Sequence, residues 1–396
     1  MGVRPGYKQT DAGAIPAEWN MERMEDVCWF QEGPGVRNTQ FTASGVKLLN
    51  GTNIFRGVLN LETTSRFIST REAYGPYAHF LADEGDIVLA SSGITIERMH
   101  EKVAFVRAQD LPFCMNTSTI RFRPSPGVLD PAFLFQFLSS DGFKRLIGEV
   151  ATGSAQLNFG PSHVAKVELP VPPLPEQRAI AEALSDADTL LGALDRLIAK
   201  KRDLKHAAMQ QLLTGQTRLP GFHGEWEVRQ LGKIAALQRG FDLPNPSLRS
   251  GPFPVVYSNG VLNCHARFMA QGPGVVTGRS GTIGTVIFVE GPYWPHNTTL
   301  WVTSFKNNDP RFVYYLYTRI GFERFASGSG VPTLNRNDAH AFELAVPTVK
   351  AEQEAIAVVL SDIDVELKAL EARRNKTRAL KQAMMQELLT GTTRLV

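Results

Sequence analysis

Hydroxyl, amide and guanidinium side chains gather at three places in the first half of this chain, two of them beside glycine, and again at three places in the second. The first pair is an apolar run ending in small residues. It reads Asp86-Ile87-Val88-Leu89-Ala90-Ser91-Ser92-Gly93 and Gly274-Val275-Val276-Thr277-Gly278-Arg279-Ser280-Gly281-Thr282-Ile283-Gly284. Glycine lets a backbone approach a ligand closely, and bare amides can hold a phosphate. A plain hairpin turn would use the same residues. The second pair is Asn116-Thr117-Ser118-Thr119 and, following His296, Asn297-Thr298-Thr299. Clustered short polar groups can reach base edges or phosphates, or satisfy the backbone of a turn. The third pair is Gly153-Ser154-Ala155-Gln156-Leu157-Asn158 and Gly328-Ser329-Gly330-Val331-Pro332-Thr333-Leu334-Asn335-Arg336, each a polar loop between a helix and a strand. The candidates for nucleic-acid contact are therefore Ser91, Ser92, Asn116, Thr117, Ser118, Gln156 and Asn158, with Arg98 just beyond the first cluster. In the second half they are Arg279, Ser280, Thr282, His296, Asn297, Thr298, Ser329, Asn335 and Arg336. Alternation in Thr119-Ile120-Arg121-Phe122-Arg123 adds Arg121 and Arg123, two guanidiniums sharing one strand face that would suit phosphate if open and would otherwise be an ordinary solvated face.

A search for catalytic chemistry finds no pattern. There is no Walker-type phosphate loop, and Gly278, Gly281 and Gly284 do not match the dinucleotide fingerprint. The eight histidines are scattered singly, and Cys28, Cys114 and Cys264 fit neither a zinc spacing nor a disulfide framework. The cysteines are expected to be buried free thiols in a reducing cytoplasm. The Asn/Asp-Pro-Pro-aromatic tetrapeptide of amino-methylating DNA methyltransferases is also missing, and Asp242-Leu243-Pro244-Asn245-Pro246 does not replace it. No metal and no cofactor are expected on this chain. No run of about 18 apolar residues suggests a membrane span, and MGVRPGYKQTDAG has no apolar export segment.

The elements that must carry these clusters are set by an internal repeat. Residues 173–219 and 349–395 match at 26 of 47 positions with a constant offset of 176. Glu176-Gln177, Ala179-Ile180-Ala181, Leu184-Ser185-Asp186 and Leu212-Leu213-Thr214-Gly215 return as Glu352-Gln353, Ala355-Ile356-Ala357, Leu360-Ser361-Asp362 and Leu388-Leu389-Thr390-Gly391. Pro173 and Pro175 suit a helix start, and Gly215 and Gly391 suit a helix end. Between them, Ile180, Leu184, Ala187, Leu191, Leu194 and Ile198 recur at steps of four and three, as do Ile356, Leu360, Ile363, Leu367 and Leu370. That is a narrow coiled-coil seam. A helix from about 175 to 213 would be roughly 58 Å long.

Charge along the repeats indicates how they pair. Residues 176–195 hold five acids and one base, and 196–215 hold five bases and one acid; residues 352–371 and 372–391 repeat the pattern with six to one and five to one. Helix dipoles favour this sense but act only within a turn. Antiparallel packing, in which each acidic half meets a basic half, is therefore expected. The stretches before the helices read as mixed α/β, with strands at Asp86–Ala90, Val103–Arg107, Thr119–Arg123, Val275–Thr277, Thr285–Val289 and Thr299–Thr303, and helices at Pro131–Ser139 and Pro310–Arg319. A weaker echo, Gln9-Thr10 to Glu18-Trp19 and Gln216-Thr217 to Glu225-Trp226, opens each globular stretch. The expected fold class is α/β in the α+β sense: two globular regions, 1–172 and 220–347, each followed by a helical spacer, 173–219 and 348–396. Net charge is only +3, and residues 1–172 carry 16 Lys+Arg against 18 Asp+Glu. Any nucleic-acid affinity of the first region must come from a local patch or from a partner.

The run Pro172-Pro173-Leu174-Pro175-Glu176-Gln177-Arg178-Ala179-Ile180 resembles the start of the central helix in type I restriction-modification specificity subunits. Its end, Gln210-Gln211-Leu212-Leu213-Thr214-Gly215, repeated at Gln386–Gly391, and the lead-in Ile15-Pro16-x-x-Trp19 resemble that family too. The second copy departs from it, reading Pro347-Thr348-Val349-Lys350-Ala351-Glu352-Gln353. The resemblance implies two target recognition domains reading halves of a split site in double-stranded DNA. It implies helices, marked by Glu176, Gln177, Ile180, Leu184, Leu191, Leu194, Leu212, Glu352, Gln353, Ile356, Leu360, Leu367 and Leu388, that act as spacer and dock two methyltransferase subunits. Those subunits would bind S-adenosylmethionine, restriction subunits would join them, and this chain would catalyse nothing. A stand-alone bipartite DNA-binding regulator is the alternative.

Overall fold

Apolar residues alternate or cluster in short runs divided by glycine and proline, so the chain folds into many short strands, and only the two repeats carry long helices. The computed structural model describes residues 4–10, 13–151, 157–328 and 332–395. Gln156 and Ser329 lie outside the described residues. The strands expected from alternation are present within one or two residues, at Ile87–Ala90, Val103–Phe105, Thr119–Pro124, Gly274–Gly278, Val286–Val289 and Thr299–Ser304. Helices Pro131–Leu138 and Pro310–Ile320 open behind Asp130 and Asp309, whose carboxylates cap the first-turn amides.

The chain divides into two compact units, Met1–Ala193 with Arg374–Val396, and Leu194–Arg373. Both use one topology. In the first unit an antiparallel sheet runs in the order Val103–Phe105, Ile87–Ala90, Thr119–Pro124, Cys28–Glu32. In the second unit the order is Val286–Val289, Gly274–Gly278, Thr299–Ser304, Ala236–Arg239. Each unit adds a three-stranded sheet centred on Val46–Leu49 or Phe253–Tyr257, where one neighbour is parallel and the other antiparallel. A two-stranded ladder closes each unit, Asn20–Arg23 with Glu168–Val171, and Trp226–Gln230 with Glu343–Pro347.

The long helices span Leu174–Leu212 and Lys350–Leu388. The unit boundaries cut them in their middles rather than at 172/173 and 347/348, because their ends belong to the cores. Ile180, Ala181, Leu184, Leu388 and Leu389 join the core of the first unit, and Met209, Leu212, Leu213, Ile356, Ala357 and Leu360 join that of the second. Leu194, Ile198 and Leu367 are also buried, and Leu191 is half-buried. Within the second unit Lys201 pairs with Glu366, Lys205 with Asp364 at 2.6 Å and Arg202 with Glu371 at 2.5 Å. Within the first, Lys381 Nζ donates to both oxygens of Asp188, at 2.6 and 2.7 Å. From Lys201–Glu366 to Lys205–Asp364 the residue number falls on one helix as it rises on the other, so basic halves meet acidic halves in antiparallel order. Solvent-accessible pairs of this kind, several of them half-buried, contribute on the order of 1 kcal/mol each or less, so they fix orientation while the buried seam supplies stability.

Both helices end on a left-handed glycine, Gly215 at φ 73° and Gly391 at φ 71°. A Cβ on Gly391 would lie 2.4 Å from Pro16 Cδ, whereas one on Gly215 would lie 3.3 Å from the Trp226 ring. Gly391→Ala is expected to destabilise by more than about 1 kcal/mol, from strain and overlap together, and Gly215→Ala by less. Equal denaturation midpoints for the two variants would refute this ordering.

Candidate nucleic-acid interface

Hydroxyl and amide groups of the second sequence cluster build the same turn twice. In the first unit, the amide and the hydroxyl of Thr119 donate to Asn116 O at 3.0 and 2.8 Å. In the second, Thr299 does the same to His296 O at 2.9 and 2.7 Å. The neighbouring chain attaches in matching ways. The Ser91 amide donates to Ser118 O at 2.9 Å, and the Arg279 amide to Thr298 O at 2.8 Å. The Gly51 amide donates to the Ser118 hydroxyl at 3.2 Å, and the Ser258 amide to the Thr298 hydroxyl at 3.3 Å. Gly33 and Gly240 pack so closely beneath that a Cβ would come within 2.4 Å of Asn116 O and 2.2 Å of His296 O. Glycine is required at both places.

The other two clusters close onto these turns. In the first unit the Ser92 hydroxyl and the Gly93 amide donate to Asn158 Oδ1 at 2.7 and 3.1 Å. In the second unit Leu334 N donates to Arg279 O at 2.8 Å, and Gly281 N to Pro332 O at 3.2 Å. The described members of all three clusters thus meet at one edge of each unit. Ser92, Thr117 and Asn158 are exposed there, as are Thr282, Asn335 and Arg336 in the second unit. The Asn335 side chain also caps the short helix Arg336–Ala341.

On this shared backbone the side chains diverge. Ser91 corresponds to Arg279, Asn50 to Tyr257, Asn116 to His296 and Thr117 to Asn297. In the first unit Asn116 Nδ2 donates to Asn50 Oδ1 at 2.9 Å. In the second the Tyr257 ring packs on His296, with centroids 4.4 Å apart, and Asn297 donates to Asp242, which also pairs with Arg239. Asn50, Gly51, Tyr257 and Ser258 were not singled out from sequence, although Asn50-Gly51-Thr52-Asn53 and Ser258-Asn259-Gly260 carry turn chemistry.

Three expectations change. Arg121 and Arg123 do share a strand face, but both guanidiniums are committed to carboxylates, and only Arg123 reaches solvent. Arg121 is 3% exposed and donates to Asp86, Gln31 and the carbonyls of His79 and Leu81. Arg123 pairs with Asp83 and with Asp86, the latter at 2.5 Å. Both guanidiniums lie over the Trp29 ring. These arginines neutralise a buried carboxylate and hold the sheet to its neighbouring loop. Ser91 and Asn116 are likewise buried, so their side chains are not presented at the edge. Cys28 and Cys114 are buried, as expected, and burial pushes both thiols up to about 12, but Cys264 is exposed.

His296 gives the second edge a pH dependence. Its Nδ1 lies 3.0 Å from the Thr298 hydroxyl. Burial lowers its pKa below the ordinary 6.5, and Asp242 offsets part of that effect. The unfolded chain therefore binds a proton more readily than the folded one, and stability falls as pH drops through 6.5. His340, also lowered by burial, shares this window. His296→Asn should flatten the decline seen in denaturation between about pH 7.5 and 5; an unchanged decline would assign it to other groups.

The family model for the type I restriction modification DNA specificity domain matches residues 16–200 and 223–377. The chain belongs to this family. A specificity-subunit relative, that of type I restriction enzyme MjaVIII from Methanocaldococcus jannaschii, is 28% identical over 54% of this chain and 49% of its own length. The chain thus spans about half of that relative. The putative MjaX specificity subunit from the same organism is 23% identical over 98% of this chain and 97% of its own. The S subunit of the type I restriction-modification system of M. genitalium shares the fold, with TM-score 0.63, 19% identity and coverage of 98% of this chain and 99% of that one.

In this specificity-family chain, the residues that open each long helix face inward. Glu176 is fully buried and accepts from Trp19 Nε1 at 2.9 Å and from Arg394. Gln177 accepts from the Asp130 amide and donates to Val128 O and Pro172 O. Glu352 accepts from Arg218 and Trp226, and Gln353 bonds Asp309, Asn308 and Pro347. These four residues fasten each helix to its own recognition region and leave no surface for a partner. Among the described residues no group of His, Cys, Asp and Glu could hold a metal, and no helix is long and apolar enough to cross a membrane.

Proposed function

We propose that this chain is the DNA sequence-specificity subunit of a type I restriction-modification complex. Each recognition region reads one half of a bipartite double-stranded target at its loop edge. The long helices set the gap between half-sites and dock two methyltransferase subunits, through which restriction subunits join. The chain is non-catalytic in this reading, and S-adenosylmethionine binds to the methyltransferase partners. The observation that carries the reading is one backbone frame built twice, presenting different side chains at its edge. A shared frame fixes how each region meets a duplex, and divergent side chains let the two half-sites differ. Exposed Leu197 and Leu204 on one long helix, and Val358 and Val365 on the other, each pair one heptad apart, fit partner docking.

Methylation sequencing of a host with and without the gene tests this directly. Loss of one bipartite adenine-methylated motif is expected, and an unchanged methylome would reject the reading. The regulator alternative predicts nanomolar specific binding by the isolated chain in a gel shift.

A further inference from the structure

Ile54–Phe55 and Val58–Leu59 form a small hairpin in the first unit, with Arg56-Gly57 as its two-residue tip. Both tip residues have positive φ, 49° and 77°. Such tips favour Asn-Gly or Asp-Gly, because a longer side chain is disfavoured in the left-handed region. Arg56 is thus a poor residue for the turn it occupies, and strain retained at an exposed tip points to a contact made by the side chain.

The surroundings show how that side chain is held. Arg56 Nε donates to Glu101 Oε1 at 2.8 Å, and Arg98 Nε donates to Glu101 Oε2 at 3.0 Å. The Glu101 side chain is only 10% exposed, whereas those of Arg56 and Arg98 are 54% and 60% exposed. One buried carboxylate therefore grips both arginines by their inner nitrogens. Neither guanidinium makes another hydrogen bond among the described residues. The Arg56 amide donates to Glu101 O at 2.7 Å, tying the tip to the same residue. Both guanidiniums lie over the exposed Phe55 ring, 5.0 and 5.8 Å from its centroid. Beneath them Lys102 Nζ donates to Gly51 O and Ile54 O, at 3.1 and 2.9 Å. Gly51 is also the residue whose amide holds Ser118 in the recognition turn. Two guanidiniums thus share one carboxylate, with Lys102 held nearby on backbone carbonyls, beside the loop edge of a region that carries more acids than bases.

We propose that the Arg56–Arg98 pair is a phosphodiester clamp that holds the duplex backbone beside the first half-site. The inference rests on the DNA-reading function proposed above and identifies where the first region contacts the backbone. Two planar forks with free outer N–H groups match the oxygens of a phosphate. Glu101 is the positioning residue. Phe55 supports the forks from below, its ring face already covered by them.

The test uses the assembled methyltransferase complex carrying Arg56→Asn with Arg98→Ala. Asparagine suits the left-handed tip, but Glu101 loses both its partners, so the melting temperature should fall and the salt slopes are compared at a temperature where both complexes are folded. Loss of the one clamped phosphate should reduce the log–log salt slope of DNA binding by about 0.9, so the variant's deficit shrinks roughly three- to fourfold between 50 and 200 mM salt. The loss should be equal on target and unrelated duplexes, with the methylated sequence unchanged. An unchanged slope overturns the clamp. So does a changed base preference in the first half-site, which would make these arginines base readers. Lost complex assembly with an unchanged slope would make the patch a protein-docking surface and also overturn it. The wild-type complex, run in parallel, separates the two claims: bipartite methylation by wild type alongside any of these variant results sinks the clamp and leaves the functional reading standing.

Discussion

Glu176→Ala is expected to lower the stability of the first unit by about 3 kcal/mol, the lower end of the range for breaking a buried ion pair. The carboxylate is fully buried and accepts from the Trp19 indole at 2.9 Å and Arg394 Nη2 at 2.8 Å, with Arg394 Nε on its other oxygen. Its removal leaves an indole N–H and a guanidinium short of partners. Arg394 is 26% exposed, so water recovers part of the loss. Bonds to Glu176 and Glu18 hold the Arg394 pKa above its ordinary value; without Glu176 the arginine keeps its charge and is left with only the exposed Glu18, at 3.2 Å, as an ionic partner. Hydrogen exchange should show loss of protection in the ladder of Asn20–Arg23 with Glu168–Val171, with the ladder of Trp226–Gln230 and Glu343–Pro347 retained. Glu352→Ala, which removes the acceptor for Arg218 and Trp226, should do the reverse. Loss of protection in both ladders for either variant, or in neither, would refute independent anchoring.

That anchor also marks where the sequence stops being readable. The repeat exposes Glu176 and Glu352 as equivalent, and periodicity places both at helix starts, within a residue or two of what is observed. Which way the carboxylate points depends on Trp19, 157 positions away, and on an arginine 218 positions away. No local pattern reports such contacts. Arg121 and Arg123 follow the same logic. Alternation put them on one face correctly, but their acidic partner comes from Asp86, just before the strand Ile87–Ala90. The recognition turns were legible because Ser, Thr, Asn and Gly carry their own local hydrogen-bond chemistry. Their partners Asn50 and Ser258 attach across 66 and 40 positions and were missed. The hairpin Phe253–Tyr257 with Gly260–His265 escaped notice as well. Its outer strand exposes Val261, Leu262, Asn263 and Cys264 in succession, so no alternation signals it.

Position 279 is where divergence between the two edges should have its largest effect on target choice. Its backbone is pinned on both sides: the Arg279 amide donates to Thr298 O, and its carbonyl accepts from Leu334, each at 2.8 Å. The residue is half-buried, and its guanidinium has no hydrogen bond or ion pair among the described residues. A fixed root with an uncommitted fork is the arrangement that bidentate reading of guanine O6 and N7 requires, at about 1–3 kcal/mol of discrimination per base pair. The first unit has buried Ser91 at the equivalent place, so the two half-sites should differ at the corresponding base pair. Arg279→Ala is expected to weaken modification of the target about 10- to 100-fold and to relax one position of the second half-site. The first half-site should be unaffected, and the melting temperature should hold because the side chain has no internal partner to lose. A phosphate contact would behave differently, weakening all sequences alike and lowering the salt slope by about 0.9. Methylation sequencing of the variant that returned the wild-type motif, with both halves equally stringent, would remove Arg279 from the set of base readers.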